Sequence, residues 1–380
     1  MGPLRKYTRN ADGICPGSFS HSESPMTLPY EMRSEVKWVD FSCPTNPLGA
    51  PNRVVKTIRK ALFDGEFGYR PDCESYSLRS ALSHYHEIPV HAILVGQTPS
   101  EMIRVAAQAF QPAAVGVSAP CPFEYHLAIT NAGHEVVSFQ NKRTFATCEV
   151  AALKKNFDPF DAVLLANPSF PTSRLIDKSV LKDYLETFSW VIVDESYIEM
   201  SLSGESYVPL TQRYENLIVV RNPSMTFAMP GMPISYLVAH PKTVEQIKRF
   251  YDSCGVSMFG ELLAQELMGC LPYLEKTSDL LEKEIPWLQC MLSLIPGVKI
   301  CPSEANFVLC SFEADSDMDL GVETAKELVD RLQVAGFTVP LMDNVIGLES
   351  GNYFCVCAHE RKENQALINM MRDIILGRQE

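Results

Sequence analysis

The 380-residue chain predicts an α/β protein: a three-layer large domain, with helices on both faces of a mostly parallel sheet, followed by a smaller α+β domain. Three observations carry this expectation. Short, unbroken apolar runs recur between Ala92 and Ala239, as strands buried on both faces require. Amphipathic helical stretches separate them, the alternation that parallel strands need for their crossovers. Beyond residue 245 the helical stretches lengthen and the regular alternation stops.

In chain order, residues 1–35 contain Gly, Pro and Ser without a clear period and are expected to form an arm that packs late or on a partner. The large domain is expected over residues 36–245. Within it, Arg53 to Leu62 places Val54, Val55, Ile58, Ala61 and Leu62 on one helical face, and Glu101 to Phe110 does the same with Ile103, Ala106, Ala107 and Phe110. The expected strands are Ala92 to Val95, Ala114 to Val117, Ala162 to Ala166, Trp190 to Val193, Leu217 to Val220 and Tyr236 to Ala239. Residues 246–380 form the expected small domain. Helices are expected at Thr243 to Asp252, Leu262 to Met268, Tyr273 to Leu294 and Glu360 to Ile375.

Composition narrows the function classes. A hydrophobic content of 46% in a chain of this length suits two packed cores. The excess of 46 acidic over 33 basic residues, a net charge of −13, opposes binding to nucleic acid or to an anionic membrane. No run of apolar residues is long enough to span a bilayer. The twelve cysteines form no zinc-type pairs and no signal-peptide pattern opens the sequence, so reduced thiols in the cytoplasm are expected. Cys355 and Cys357 share one face of an expected strand and read as core residues. His84 and His86 fall on different faces of an expected helix, which argues against a metal site. The acidic stretch Glu313 to Asp319 reads as a solvated loop.

In a parallel sheet, chemistry gathers beyond the carboxyl ends of the strands. Four segments fall there: Gly96-Gln-Thr-Pro-Ser-Glu101, Asn167-Pro-Ser-Phe-Pro-Thr-Ser173, Asp194-Glu-Ser-Tyr197 and Arg221-Asn-Pro-Ser-Met-Thr-Phe-Ala-Met-Pro-Gly231. Their order and spacing resemble the pyridoxal-phosphate-dependent class I/II aminotransferases, fold type I. Val39-Asp-Phe-Ser-Cys-Pro-Thr-Asn-Pro-Leu-Gly49, Tyr69-Arg-Pro-Asp72 and Ser303-Glu-Ala-Asn-Phe-Val308 are similar to motifs of the branch containing threonine-phosphate decarboxylase and histidinol-phosphate aminotransferase. The likeness spans residues 38 to 375.

The resemblance implies roles position by position. Asp194 matches the aspartate that pairs with the pyridine nitrogen and keeps the ring an electron sink, and Tyr197 the tyrosine that bonds the ring hydroxyl. Ser224 matches a phosphate-binding hydroxyl, Ser100 and Glu101 lie in the phosphate cup, and Tyr69 matches the tyrosine that reaches the neighbouring subunit's cofactor. Phe123, with a one-residue shift, takes the place of the ring-stacking aromatic, which otherwise falls at Pro122. Asn46, Gly49 and Asn167 match positions on the substrate side.

The departures are as informative. Aligned through Ala228-Met-Pro-Gly231, the lysine that forms the internal aldimine is Met225. The phosphate-binding arginine is Pro233, the asparagine that bonds the ring hydroxyl is Phe170, and the glycine after it is Ser173. Pro99 removes a backbone N–H from the cup. The two carboxylate-binding arginines fall at Met342 and Cys355. A thioether cannot form an aldimine or shuttle the proton that the lysine would carry. Each lost arginine fork removes a pair contributing about 1.5–3 kcal/mol. No lysine lies between Lys182 and Lys242 to stand in.

Three readings follow: a non-catalytic homologue acting as partner subunit, scaffold or small-molecule binder; an enzyme holding pyridoxal or pyridoxamine phosphate non-covalently, or working without it; and a conventional aminotransferase or decarboxylase. Met225, Met229 and Met232 are expected to form an apolar lining or plug where the charged site would be. The family's active site lies at a two-fold interface, which implies a homodimer, or a heterodimer with an intact paralogue.

Overall fold

The structure is a computed structural model that describes residues 38–378 apart from 112, 143, 254, 259, 263–268 and 315–319. The expected arm, nearly all of the helix expected at Leu262 to Met268 and most of the acidic stretch at Glu313 to Asp319 lie outside the described residues.

The strands, in chain order, are β1 (Val39–Asp40), β2 (Ile93–Gly96), β3 (Ala114–Ser118), β4 (Cys121–Pro122), β5 (Glu135–Phe139), β6 (Ala162–Ala166), β7 (Trp190–Asp194), β8 (Leu217–Arg221), β9 (Ser235–Ala239), β10 (Val298–Ile300), β11 (Phe307–Phe312), β12 (Phe337–Thr338), β13 (Val345–Ile346) and β14 (Tyr353–Cys357). Seven of them form one sheet in the order β2-β9-β8-β7-β6-β3-β5. Its neighbours are parallel except β9, which runs antiparallel to both β2 and β8. All six runs expected to be strands are strands. The seventh, β5, went unanticipated because it is an edge strand with only Phe139 fully buried, so no continuous apolar run marks it.

Alternate residues along the central strands enter two different cores. Val163, Val191, Val193 and Val219 pack with Leu181, Tyr184 and Leu82 on one face. Leu164, Ile192, Ile218 and Val220 pack with Ile103, Ala106 and Ile129 on the other. This is the three-layer arrangement that a strand apolar at every position demands.

A third core belongs to the C-terminal part. There the antiparallel sheet β10-β11-β14 packs against the helices Leu271–Ser293, Ala325–Val334 and Arg361–Ile375 through Leu281, Leu288, Phe354, Leu328 and Ile368. Phe41 joins the same core, and β1 pairs with β12, so the first described residues are built into the C-terminal unit.

The topology sets where a site can lie. β6, β7 and β8 are parallel, so Asn167, Glu195 and Asn222, each the first residue past its strand, gather at one edge of the sheet. The C-terminal unit is tied across by the pairing of β4 with β13 and by a bridge between Ser201 and Ala305.

Close packing within the sheet gives a direct test. A Cβ on Gly116 in β3 would come within 2.4 Å of the Phe160 ring, which is itself stacked between Phe139 and Phe188 at 5.5 and 5.2 Å. Gly116→Val is expected to lower the unfolding free energy by about 1–3 kcal/mol in a urea titration, through overpacking.

Candidate functional site

At the centre of the edge, β7 delivers Asp194, only 4% exposed. The Tyr125 hydroxyl donates to its Oδ2 at 2.7 Å. Ser196 donates both its backbone N–H, at 2.8 Å, and its hydroxyl, at 2.5 Å, to Oδ1. Burial pushes the Asp194 carboxyl up from its ordinary range, while these donors and the charge of Arg221 pull it back. Burial and the neighbouring carboxylate likewise raise Tyr125 well above the usual phenol range, so it stays a donor. Sequence reasoning did not single out Tyr125. On a mainly apolar helix, Phe123–Asn131, a buried tyrosine looks like core.

Beside Asp194, the Tyr197 ring packs 5.9 Å from Phe170 and 5.3 Å from Phe307, and Phe170 lies 5.1 Å from Phe307. Burial pushes the Tyr197 phenol well up. This aromatic triangle belongs to a cluster with Ala305, Leu309, Met342, Val345, Cys355 and Cys357. Phe170, Met342 and Cys355, far apart in sequence, thus meet in one apolar body. Cys355 and Cys357 share that cluster, as their placement on one strand face requires.

The turn after β8 is closed by its own hydroxyl. The backbone N–H of Ile234 donates to Ser224 Oγ at 2.7 Å, and that oxygen lies 3.1 and 3.2 Å from the carbonyls of Ile234 and Met232. Met225 is half-buried and packs against the C-terminal core, while Met229 and Met232 pack with the first sheet face. The single lining expected of these three methionines therefore does not form; the chain turns at Ala228, φ 51°, and divides them between layers. Asn46 is buried, its amide donating to the Thr226 carbonyl at 3.0 Å and to Thr277 Oγ1 at 2.8 Å while its Oδ1 accepts from Leu48 N. Gly49 holds φ 69° and its carbonyl accepts from the Tyr273 hydroxyl.

At the segment after β2, Thr98 caps the helix Pro99–Gln108 by accepting from Glu101 N at 3.2 Å. Glu101 folds back, and its carboxylate accepts from Gln97 N at 2.8 Å. The helix end thus carries its own anion, with Ser100 half-buried in the first turn. Asn167 Oδ1 accepts from Ile176 N at 2.9 Å. Phe123 starts its helix half-buried, and Tyr69 stands 77% exposed.

The profile of the aminotransferase class I and II family matches residues 36–370. The chain belongs to that family. It is 27% identical over 353 residues to a histidinol-phosphate aminotransferase of Caldanaerobacter subterraneus, covering 92% of this chain and 94% of the relative. It is 23% identical to a threonine-phosphate decarboxylase of Salmonella typhimurium, covering 89% and 92% of the two chains. Among solved structures, the histidinol-phosphate aminotransferase of Clostridium acetobutylicum superimposes with a TM-score of 0.78 at 23% identity, covering 88% of this chain and 98% of the other. The fold expected from the motifs, pyridoxal-phosphate fold type I, is the fold this family member has.

Behind the edge, this aminotransferase-family chain holds a buried ionic network. Arg221, 3% exposed, donates to Glu195 Oε2 at 3.2 Å and to Ser206 Oγ at 2.9 Å, and its other terminal nitrogen pairs with Glu199. Glu195, fully buried, also accepts from Ser206 and from Tyr207 N, both at 2.6 Å. Nearby, His86 Nε2 lies 2.7 Å from the Tyr236 hydroxyl, and burial together with the Arg221 charge pushes its pKa down to about 2. Among the described residues no cluster of His, Cys, Asp and Glu could hold a metal, and no helix is long and apolar enough to cross a membrane.

Two outcomes follow. Tyr125→Phe leaves Asp194 Oδ2 without its donor and is expected to cost about 1–3 kcal/mol in chemical denaturation. For His86 the folded pKa lies below the unfolded one, so the stabilising contribution is present above about pH 6.5 and lost as pH falls towards 2. Relative to His86→Gln, the natural protein is expected to lose about 1.4 kcal/mol per pH unit below that point, read as the difference between the two stability–pH curves.

Proposed function

We propose that this chain is a non-catalytic member of the aminotransferase family, one that has given up lysine-dependent pyridoxal phosphate chemistry and works as a partner subunit or small-molecule binder. The observation that carries this reading is the engagement of Asp194 by the chain's own donors, in a site where the family lysine position is Met225. Both oxygens that would face a pyridinium already hold donors from Tyr125 and Ser196.

The surrounding residues do not fit the cofactor either. Phe170, Tyr197 and Phe307 fill one side of the site with rings. The Ser224 hydroxyl is engaged with backbone, Gln97 N with the Glu101 carboxylate, and Pro99 has no N–H to offer a phosphate. Pro233, at the position of the family's phosphate arginine, is exposed and carries no charge. Met225 offers no amine, and Lys242 pairs with Glu215 on the surface at 2.6 Å, with its side chain 71% exposed. Four surface cavities are lined by none of Asp194, Tyr197, Ser224 and Met225.

The partner proposed is a second copy or an intact paralogue. Phe63, Phe67, Tyr69 and Tyr76 are 91, 69, 77 and 60% exposed within fourteen residues of one another, an apolar density that suits an interface. In light scattering after size exclusion, Phe63→Asp combined with Phe67→Asp is expected to convert a dimer of the 42.5 kDa chain to monomer.

The decisive measurement is the visible spectrum with pyridoxal phosphate added at about 100 µM, followed by intact mass after borohydride reduction. A colourless protein of unchanged mass is expected. A reducible yellow adduct on any lysine of the folded chain would end this reading, and Met225→Lys is expected to gain no aminotransferase activity because the lesion extends beyond one side chain.

A further inference from the structure

We propose that the outer edge of β5 takes up an extended segment of another protein as an eighth strand of the sheet. An apolar side chain of that segment sits in the recess at the carboxyl end of β5, and a basic one lies opposite Glu135.

The pairing phase of β5 decides which backbone groups are left for a partner. Glu135 N donates to the Ala113 carbonyl at 3.1 Å, Ala119 N donates to the Phe139 carbonyl at 2.8 Å, and the register between them is continuous. Every second residue of a parallel pair bonds the same neighbour, so Glu135, Val137 and Phe139 serve β3. Val136 and Ser138 therefore point N–H and C=O away from the sheet, where β5 is the last strand, and those groups have no backbone partner among the described residues. The pattern repeats every two residues, about 7 Å along the strand, which is the repeat of another extended backbone.

Such an edge is ordinarily covered, or blunted by Pro or Lys. The opposite edge of this sheet shows the covering: every residue of β2 is buried, and the Tyr251 hydroxyl donates to the Val95 carbonyl at 2.6 Å. In β5, Glu135 and Ser138 are exposed, Val136 and Val137 are half-buried, and the strand contains neither Pro nor Lys.

The side chains around the edge select the segment. An open recess of about 800 Å³ includes Ser138 and Phe139 in its lining and is walled further by Ala152, Phe157 and Ile346. Its charged groups are one lysine, Lys142, and one glutamate, Glu149, so it favours no sign of charge and its floor suits an apolar group. At the other end of β5, Glu135 is exposed without a partner among the described residues, on a chain of net charge −13. A basic side chain directly opposite it is favoured. Glu135 and Phe139 lie on one face of the strand, so an antiparallel partner presents an apolar residue and, four positions later, a basic one.

This inference goes beyond the loss of cofactor chemistry. None of its residues belongs to the Asp194 site or to the aromatic patch at Phe63 and Phe67, so a yellow adduct would overturn that reading and leave this one standing.

The test is fluorescence anisotropy on the full chain with a labelled, end-blocked peptide, Ile-Thr-Val-Thr-Lys-Thr. Saturable binding with a Kd of about 100 µM or tighter is expected. Methylating the backbone nitrogens of the two threonines beside the valine, which face Ser138 and Val136, is expected to weaken binding about tenfold or more. Methylating the valine nitrogen, which faces solvent, is expected to weaken it less. Ser138→Pro removes an outward N–H and no ladder bond, and is expected to abolish binding. Ser138→Ala removes only the hydroxyl that lies 3.1 Å from His126 Nε2 and is expected to retain it. The proposal is overturned by no saturable binding up to about 1 mM, by equal affinity for the parent and the threonine-methylated peptide, or by undiminished binding to folded Ser138→Pro. It is likewise overturned if the unaltered protein binds no peptide and Ser138→Pro sediments as a smaller species, which would assign the edge to a second copy of this chain.

Discussion

A buried carboxylate at the end of a central strand is the constraint on which the rest of this site depends. Asp194 closes β7, whose every residue is buried, and an anion there without partners would cost several kcal/mol. Three donors meet that cost, two from Ser196 and one from Tyr125. The Tyr125 bond fixes the helix Phe123–Asn131 against the sheet edge. The Ser196 bonds tighten the turn that carries Tyr197 into the aromatic triangle. Of the roughly four acceptor sites of the carboxylate, three are thus taken by the chain's own donors.

On the non-catalytic reading proposed for this chain, the departures from the family pattern make sense as one change and not as several. Removing a single arginine from a charged site strands its partner, which is the expensive case. Replacing the charged and polar groups together with apolar ones of suitable shape is close to neutral. Phe170, Met342 and Cys355, far apart in sequence, pack in one cluster with Phe307 and Leu309. Glu101 likewise supplies an anion to a helix end at which Pro99 has no N–H to offer.

The sheet was legible because strands buried on both faces must be apolar at every position, and all six such runs formed strands. Direction was not legible: β9 is as uniformly buried as its parallel neighbours, yet it runs the other way. Edge strand β5 escaped because its pattern is half exposed. At the site, motif order located Asp194, Tyr197 and Ser224 at one edge, but nothing in the sequence marks which atoms their side chains engage. Tyr125 could not be told from core, and the three methionines could not be assigned to different layers, since both depend on tertiary placement. The separation of position from use is physical: a motif specifies where the chain turns, whereas hydrogen-bond partners come from elements remote in sequence.

That separation explains which polar residues of the motifs serve the scaffold. Asn46 bonds the Thr226 carbonyl and Thr277, and Asn306 bonds the carbonyls of Pro44 and Thr45. These contacts run from side chain to backbone or between elements, and they are made within the chain. The network of Arg221, Glu195 and Glu199 is of the same kind, with its charges paired inside the protein. Removing one member would leave a buried charge uncompensated, a loss of about 3–5 kcal/mol. Folding therefore constrains Asn46, Asn306 and Arg221 through contacts within the chain, whereas Met225, Phe170 and Cys355 contribute apolar packing.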